Sequence, residues 1–191
     1  MPRAEREREM LEAAGEVFAR EGFHAASMDA IADAARISKP MLYNYFGSKE
    51  GLYLAYIQHS GQALLRSLRE AASPKAPANE RLRAGTLAFL TYVEDHRSGW
   101  AVLHRETTAQ GGSLAAEVAD LRERIACMLT VLLEDAALAH AFVGAGESLA
   151  TWWLAHPEEP KTRIAQLLMQ IARLSSSTPV TSYGHESFGS Q

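Results

Sequence analysis

Apolar residues recur along most of this chain at steps of three and four, the period of helices laid on a core. Runs of alternating β-branched residues, which would signal strands, are missing. Leu11, Ala14, Val17 and Phe18 share one face of a predicted first helix over about 4–21, and Gly22 stops it. Ser27 then stands as an N-cap with Asp29 in the following turn, and a short second helix runs over about 28–35. Ser38 is placed to cap a third helix over about 39–46, with Pro40 in its first turn and Gly47 at its end. Ser48 caps a fourth, which continues to about Ala72, and SPKAPAN (73–79) breaks the pattern. Further helical segments follow at about 79–96, 98–110, 114–135, 137–155 and 160–175. The last residues, 176–191, have no periodicity, are rich in Ser, Thr and Gly, and read as a flexible tail. The class is all-α with about nine helices.

Composition narrows the function. Of 191 residues, 47% are apolar, enough for a substantial core, yet no run reaches the roughly 18–20 residues of a membrane span. The N-terminus is charged and then amphipathic, unlike an export signal, and Cys127 alone allows no internal disulfide, so a cytoplasmic protein is expected. The histidines are scattered, and HExxH, GxSxG, P-loop and dinucleotide patterns are absent; no catalytic residue, metal or cofactor is expected. Cys127, beside Met128 and Leu129, reads as a buried inert thiol.

The two short helices joined by Arg36-Ile37-Ser38 have the proportions of a helix-turn-helix. Ile31, Ala34 and Ile37 are spaced to meet Leu42 and Phe46, which leaves Lys39, Met41, Tyr43, Asn44 and Tyr45 mostly outward. Such a helix fits the major groove. The segment SMDAIADAARISKPMLYNYFGSKEGLY (27–53) resembles the signature of TetR-type transcriptional regulators. AAGEVFAREGFHAA (13–26) is similar to that family's first helix and its Gly-Phe exit, and GAGESLATWWLAHPEEP (144–160) resembles a late segment of actinobacterial members.

The resemblance implies a helix-turn-helix DNA-binding domain over residues 1–47 and a ligand-binding and dimerisation domain over 48–175. It implies a homodimer on a palindromic double-stranded operator, acting as a repressor that a small, largely apolar effector releases. Ser27, Ser38, Tyr43 and Tyr45 match positions that hold phosphates, and Lys49 matches a lysine that meets the DNA backbone. Met41 and Asn44 match base-facing positions, with Pro40 in van der Waals reach and Lys39 close by. Arg36 departs from the family's glycine at a turn position that needs positive φ; it carries strain and brings a cation near the DNA face. Plain alternatives stand beside these roles: Tyr43 as packing, Asn44 as a solvated position, Lys49 as an ordinary surface lysine.

Charge limits the footprint. Residues 1–50 hold seven Lys/Arg against nine Asp/Glu, net −2, with much of the acid on the first helix. Affinity is therefore expected to rest on two protomers and few phosphates per half-site.

In the second domain the resemblance places an effector cavity among the fourth to eighth helices. Tyr92, Trp100, His104 and Met128 are the expected lining, with His96, Arg105 and Glu106 as further polar groups. Dimerisation is assigned to the last two long helices. Ala141, Gly144, Ala145, Ser148 and Ala150 permit close approach, and Ile164, Leu167, Leu168, Ile171 and Leu174 make an amphipathic stripe. A reading from another class is a small-molecule-binding helical protein whose N-terminal domain makes protein contacts only.

Overall fold

The computed structural model describes residues 2–108 and 113–176, with side chains placed outside 105–114 and 174–176. Among the described residues the chain forms α1 (Arg3–Ala25), α2 (Met28–Ala34), α3 (Lys39–Phe46), α4 (Lys49–Ala71), α5 (Ala78–Asp95), α6 (Arg97–Thr108), α7 (Ser113–Leu133), α8 (Ala136–Leu154) and α9 (Lys161–Ser176). The tail expected at 176–191 lies outside the described residues beyond Ser176. No helix of the described residues is long and apolar enough to cross a membrane.

Local signals set the helix ends. Gly22 breaks α1 at φ 81°, a conformation open to glycine, and the chain re-forms a last turn before leaving for α2. Ser27 Oγ accepts from Ala30 N at 3.0 Å and Ser48 Oγ accepts from Gly51 N at 2.9 Å, so both serines cap as expected. Asp135 does the same for α8, accepting from Leu138 N at 2.9 Å after Glu134 turns the chain at φ 57°. Ser38 departs from expectation: it has extended N-cap angles, but its side chain makes no capping bond.

α1 to α4 share one core. Leu11, Ala14, Val17 and Phe18 of α1 meet Ile31 of α2, Leu42 of α3 and Tyr53 of α4, and all are buried. Phe18 and Tyr53 pack edge to face at 4.6 Å. Ala34, expected to face inward, is exposed, while Ile37 and Phe46 are half-buried against this core. Val102 and Leu103 of α6 and Val118 and Leu121 of α7 join the same cluster, so the N-terminal helices sit on the C-terminal bundle through continuous apolar packing.

α9 corrects an expectation. Ile164, Ala165, Leu168, Met169 and Ala172 are buried against α5 and α8 of the same protomer. Its strong amphipathicity reflects an internal contact, with Thr162, Arg163, Gln166, Gln170 and Arg173 outward. Leu174 lies outside the placed side chains. On α8, Ala150 is likewise buried, whereas Ala137, Ala141, Ser148 and Trp152 are exposed along one stripe. An added Cβ on Gly144, within that stripe, would touch nothing within 4 Å.

Candidate DNA interface and effector cavity

The turn between α2 and α3 is closed by two backbone bonds, Arg36 N to Asp33 O at 3.1 Å and Ile37 N to Ala32 O at 3.0 Å. This pattern needs a left-handed residue, and Arg36 takes it at φ 55°. The expected left-handed conformation is therefore present, and the side chain is exposed just before the start of α3.

α3 divides into stripes. Leu42 is fully buried, and Met41, Tyr45 and Phe46 pack partly against the core. Lys39, Pro40, Tyr43 and Asn44 are exposed, and Pro40, Tyr43 and Asn44 sit three and four apart on one face. The outward face is thus narrower than the sequence suggests: Met41 and Tyr45 are flanking, half-buried groups. Tyr45 also carries the Arg3 guanidinium 5.1 Å from its ring centre, which brings the start of α1 beside α3.

Both lysines of the site are already engaged. Lys39 Nζ lies 2.9 Å from Asp29 Oδ2, and this partner raises its pKa through the hydrogen bond first and charge second. Lys49 Nζ donates to the carbonyls of His24 at 3.3 Å and Ala26 at 3.1 Å, and sits 4.7 Å from the Phe23 ring centre. Rather than an ordinary surface lysine, Lys49 ties the end of α1 to the start of α4, with one N–H of the ammonium still unassigned. Ser27 is exposed, and its hydroxyl proton is not consumed by the cap, in which the oxygen accepts.

In the C-terminal bundle, α4 to α9 enclose a cavity of about 460 Å³ with a predominantly apolar wall. Trp100, His104 and Met128 line it. Tyr92 does not: it is buried, and its hydroxyl donates to Ser60 O at 2.8 Å. Burial pushes that phenol's pKa far above its ordinary value, so it remains a donor. His96 stacks on Tyr92 at 4.4 Å on the outside of the bundle; Arg105 and Glu106 lie outside the placed side chains.

Sequence reasoning missed the cavity's other polar groups. Arg122 Nε approaches Glu147 Oε1 at 2.9 Å, a charge contact off the N–H direction. Burial holds the Glu147 carboxyl above its usual pKa, against the opposing pull of Arg122. One signal was available: His140 and Glu147 are the ionisable residues of the otherwise apolar α8. Arg69 and Arg81 line the cavity as well. Cys127, expected to be buried, is exposed; local desolvation and the Glu123 carboxylate raise its pKa and keep it a thiol.

Comparison with known proteins decides the family. Residues 10–56 match the family described as bacterial regulatory proteins, tetR family, and residues 78–174 match the tetracyclin repressor-like C-terminal domain. The chain belongs to the TetR family of transcriptional regulators. A TetR-like regulator from Rhodococcus sp. RHA1, of known structure, is 40% identical with a TM-score of 0.83, over 93% of this chain and 100% of that one. Among curated proteins, the transcriptional activator FasR of Mycolicibacterium smegmatis is 40% identical over 118 residues, 62% of this chain and 54% of that protein. The transcriptional repressor NicS of Pseudomonas putida is 29% identical over 102 residues, 53% and 48% of the two chains. The chain thus matches about half the length of these curated relatives. As a TetR-family member it is a helix-turn-helix DNA-binding regulator and not an enzyme, and its actinobacterial likeness is upheld by the Rhodococcus and Mycolicibacterium relatives.

Proposed function

We propose that this regulator binds a palindromic operator as a homodimer, represses transcription there, and is released by a small, largely apolar effector in the α4–α9 cavity. The carrying observation is the exposed face of Pro40, Tyr43 and Asn44, presented beyond a tightly hydrogen-bonded turn and backed by buried Leu42. Asn44 supplies a two-pronged donor and acceptor for adenine, and Pro40 offers contact to a thymine methyl. Tyr43, Tyr45, Ser27, Ser38, Lys39 and Arg36 hold phosphates around it, with Met41 at the groove edge and Lys49 offering its remaining N–H. The dimer forms through α8, whose outward stripe of Ala137, Ala141, Gly144 and Ser148 admits close approach and ends in Trp152, 44% exposed.

Cavity and reading helix communicate through α6. Trp100 lines the cavity, while the adjacent Gly99 lies against α4 and α5. A Cβ there would come within 3.4 Å of the Tyr56 hydroxyl and 3.5 Å of Ser60 Oγ and the Tyr92 hydroxyl. Tyr56 in turn packs so closely on Gly15 of α1 that a side chain at Gly15 would collide with its ring. An effector that fits better with α6 displaced shifts α1 and α4, and lowers DNA affinity by its differential binding to the two states.

The relative named FasR is an activator and NicS a repressor, which makes activation the second reading. A promoter–reporter assay with and without the chain separates them: repression lowers output, and activation raises it. Operator binding is tested by Tyr43→Ala and Asn44→Ala, which should weaken binding about tenfold or more while folding and dimerisation persist. Unchanged affinity in both variants would remove the reading-face assignment.

A further inference from the structure

Four buried side-chain nitrogens of the cavity wall lack a hydrogen-bond partner among the described residues: Arg81 Nε, Trp100 Nε1, His104 Nδ1 and Arg122 Nε. Arg122 has its charge partner in Glu147, and Trp100 and Arg81 are the two fixed donors that have no such contact. Trp100 is 5% exposed, and its indole Nε1 has no acceptor among the described residues. Arg81 Nε is buried and also without an acceptor among them. A buried unpaired donor costs about 1–3 kcal/mol, so each marks a place where a ligand oxygen gains more than it would in water.

The two places differ in charge. On the Trp100 side, Arg122 is paired with Glu147 and His104 stacks on the indole at 5.9 Å, so an uncharged oxygen can accept from Nε1 without bringing a second carboxylate to Glu147. An uncharged acceptor is the one that satisfies Trp100 without adding charge beside Glu147. The other end is marked as the mouth by its exposed lining residues, Arg69, Pro74 and Val131. Arg69 and Arg81 both line the cavity, and neither is paired with an acid among the described residues. Arg81, Gly85 and Phe89 follow one face of α5 along the cavity, and Phe89 packs edge to face on Trp100 at 5.4 Å. Eight residues of helix separate Arg81 from Phe89, about 12 Å at the helical rise. Leu82, Met128, Phe142 and Leu168 are among the apolar residues of the wall.

We propose that the cavity is a two-pole receptor for an amphiphile: an anionic group at the mouth seats on Arg81 and Arg69, and an uncharged carbonyl oxygen in the aliphatic body accepts from Trp100 Nε1. This rests on the reading of the cavity as the effector site and adds the ligand's chemistry to it. The apolar spacer between the two groups spans on the order of 12 Å. Affinity is divided between body and poles: the apolar wall binds any chain of suitable length, and the poles discriminate among chains.

The test is calorimetric titration of the full chain, below the probes' aggregation concentrations, with palmityl alcohol, palmitate and an oxo-palmitate whose ketone lies about 12 Å from its carboxylate. Palmitate should bind about tenfold tighter than the alcohol, and the oxo-palmitate about tenfold tighter than palmitate. Arg81→Ala should erase the first preference and leave the second; Trp100→Phe, which keeps an aromatic ring, should erase the second and leave the first. Circular dichroism melting confirms that each variant folds. Equal binding of alcohol and acid, or a preference that survives its own variant, would overturn the proposal. Operator occupancy is followed separately with the same probes. Ligands that bind with both preferences but leave DNA bound support the two-pole receptor and sink the effector reading. Absence of binding by all three probes overturns the receptor and leaves operator recognition untouched.

Discussion

Replacing Arg36 by glycine should stabilise the protein, and the amount follows from the turn it occupies. Its φ of 55° is one that a side-chain-bearing residue holds at a cost of roughly 1–2 kcal/mol. The surrounding bonds, Arg36 N to Asp33 O and Ile37 N to Ala32 O, fix that conformation whichever residue stands there. Arg36→Ala keeps the strain and removes the guanidinium; Arg36→Gly removes both. Glycine also loosens the unfolded chain, which returns about 0.4–1 kcal/mol of the gain. Taken at the centre of these ranges, the glycine variant should exceed the alanine variant by about 0.8 kcal/mol, or about 2–3 °C in melting temperature for a chain of this size. Urea unfolding followed by circular dichroism reads the difference as a shift in midpoint at constant slope. A glycine variant no more stable than the alanine variant would refute the strain argument. The same pair reports on DNA: both lose the cation and should bind equally, each with a shallower salt dependence than the parent.

Gly51→Ala should be strongly damaging, because its Cβ would run into the Phe46 carbonyl oxygen where α3 turns into α4. We expect a loss of about 1–3 kcal/mol in urea unfolding and weaker operator binding even at saturating folded protein; wild-type behaviour in both would contradict the junction geometry. Lys49→Met removes the donor to the His24 and Ala26 carbonyls, and should cost about 1–2 kcal/mol of stability in addition to any DNA effect. A fully stable Lys49→Met with impaired DNA binding would return this residue to a phosphate role alone. His140 donates to Ala136 O at 2.8 Å and to Glu123 Oε2 at 2.9 Å, which favours the doubly protonated ring and raises its pKa. The associated stabilisation is present below the ordinary histidine pKa and is lost as pH rises through the raised folded value. NMR titration should show Glu123→Gln lowering that pKa only in part, since the backbone bond is the larger cause; no change on substitution would exclude the carboxylate's contribution.

Where the sequence was informative, the controlling physics was local. Gly22, Ser27, Ser48 and the positive φ at Arg36 are dictated by a few neighbouring residues, and each holds in the structure. Ser38 shows the limit even there, since cap angles do not oblige the hydroxyl to cap. Periodicity shows that a helix buries a face, but not against what. The α9 stripe is unmistakable in the sequence, and only tertiary contact shows Ile164 and Leu168 packed inside their own protomer. The cavity was legible as a group of aromatics, yet Tyr92 and Trp100 cannot be told apart by type. One spends its hydroxyl on Ser60, and the other leaves its N–H to the cavity. Arg122 and Glu147 lie on different helices, α7 and α8, and meet only because those helices pack together. Lys49 was visible as a cation near the reading helix, but its carbonyl partners belong to the end of α1, more than twenty residues earlier.

The central claim is sequence-specific DNA recognition by the outward face of α3. Selection of binding sites from random double-stranded DNA by the full chain, followed by fluorescence anisotropy on the enriched sequence, tests it directly. The account predicts a palindromic consensus bound by two protomers, with Asn44→Ala relaxing preference at one base pair per half-site by about 1–3 kcal/mol. No enrichment over the starting pool, or a consensus that Tyr43→Ala and Asn44→Ala leave unchanged in affinity and sequence, would contradict it.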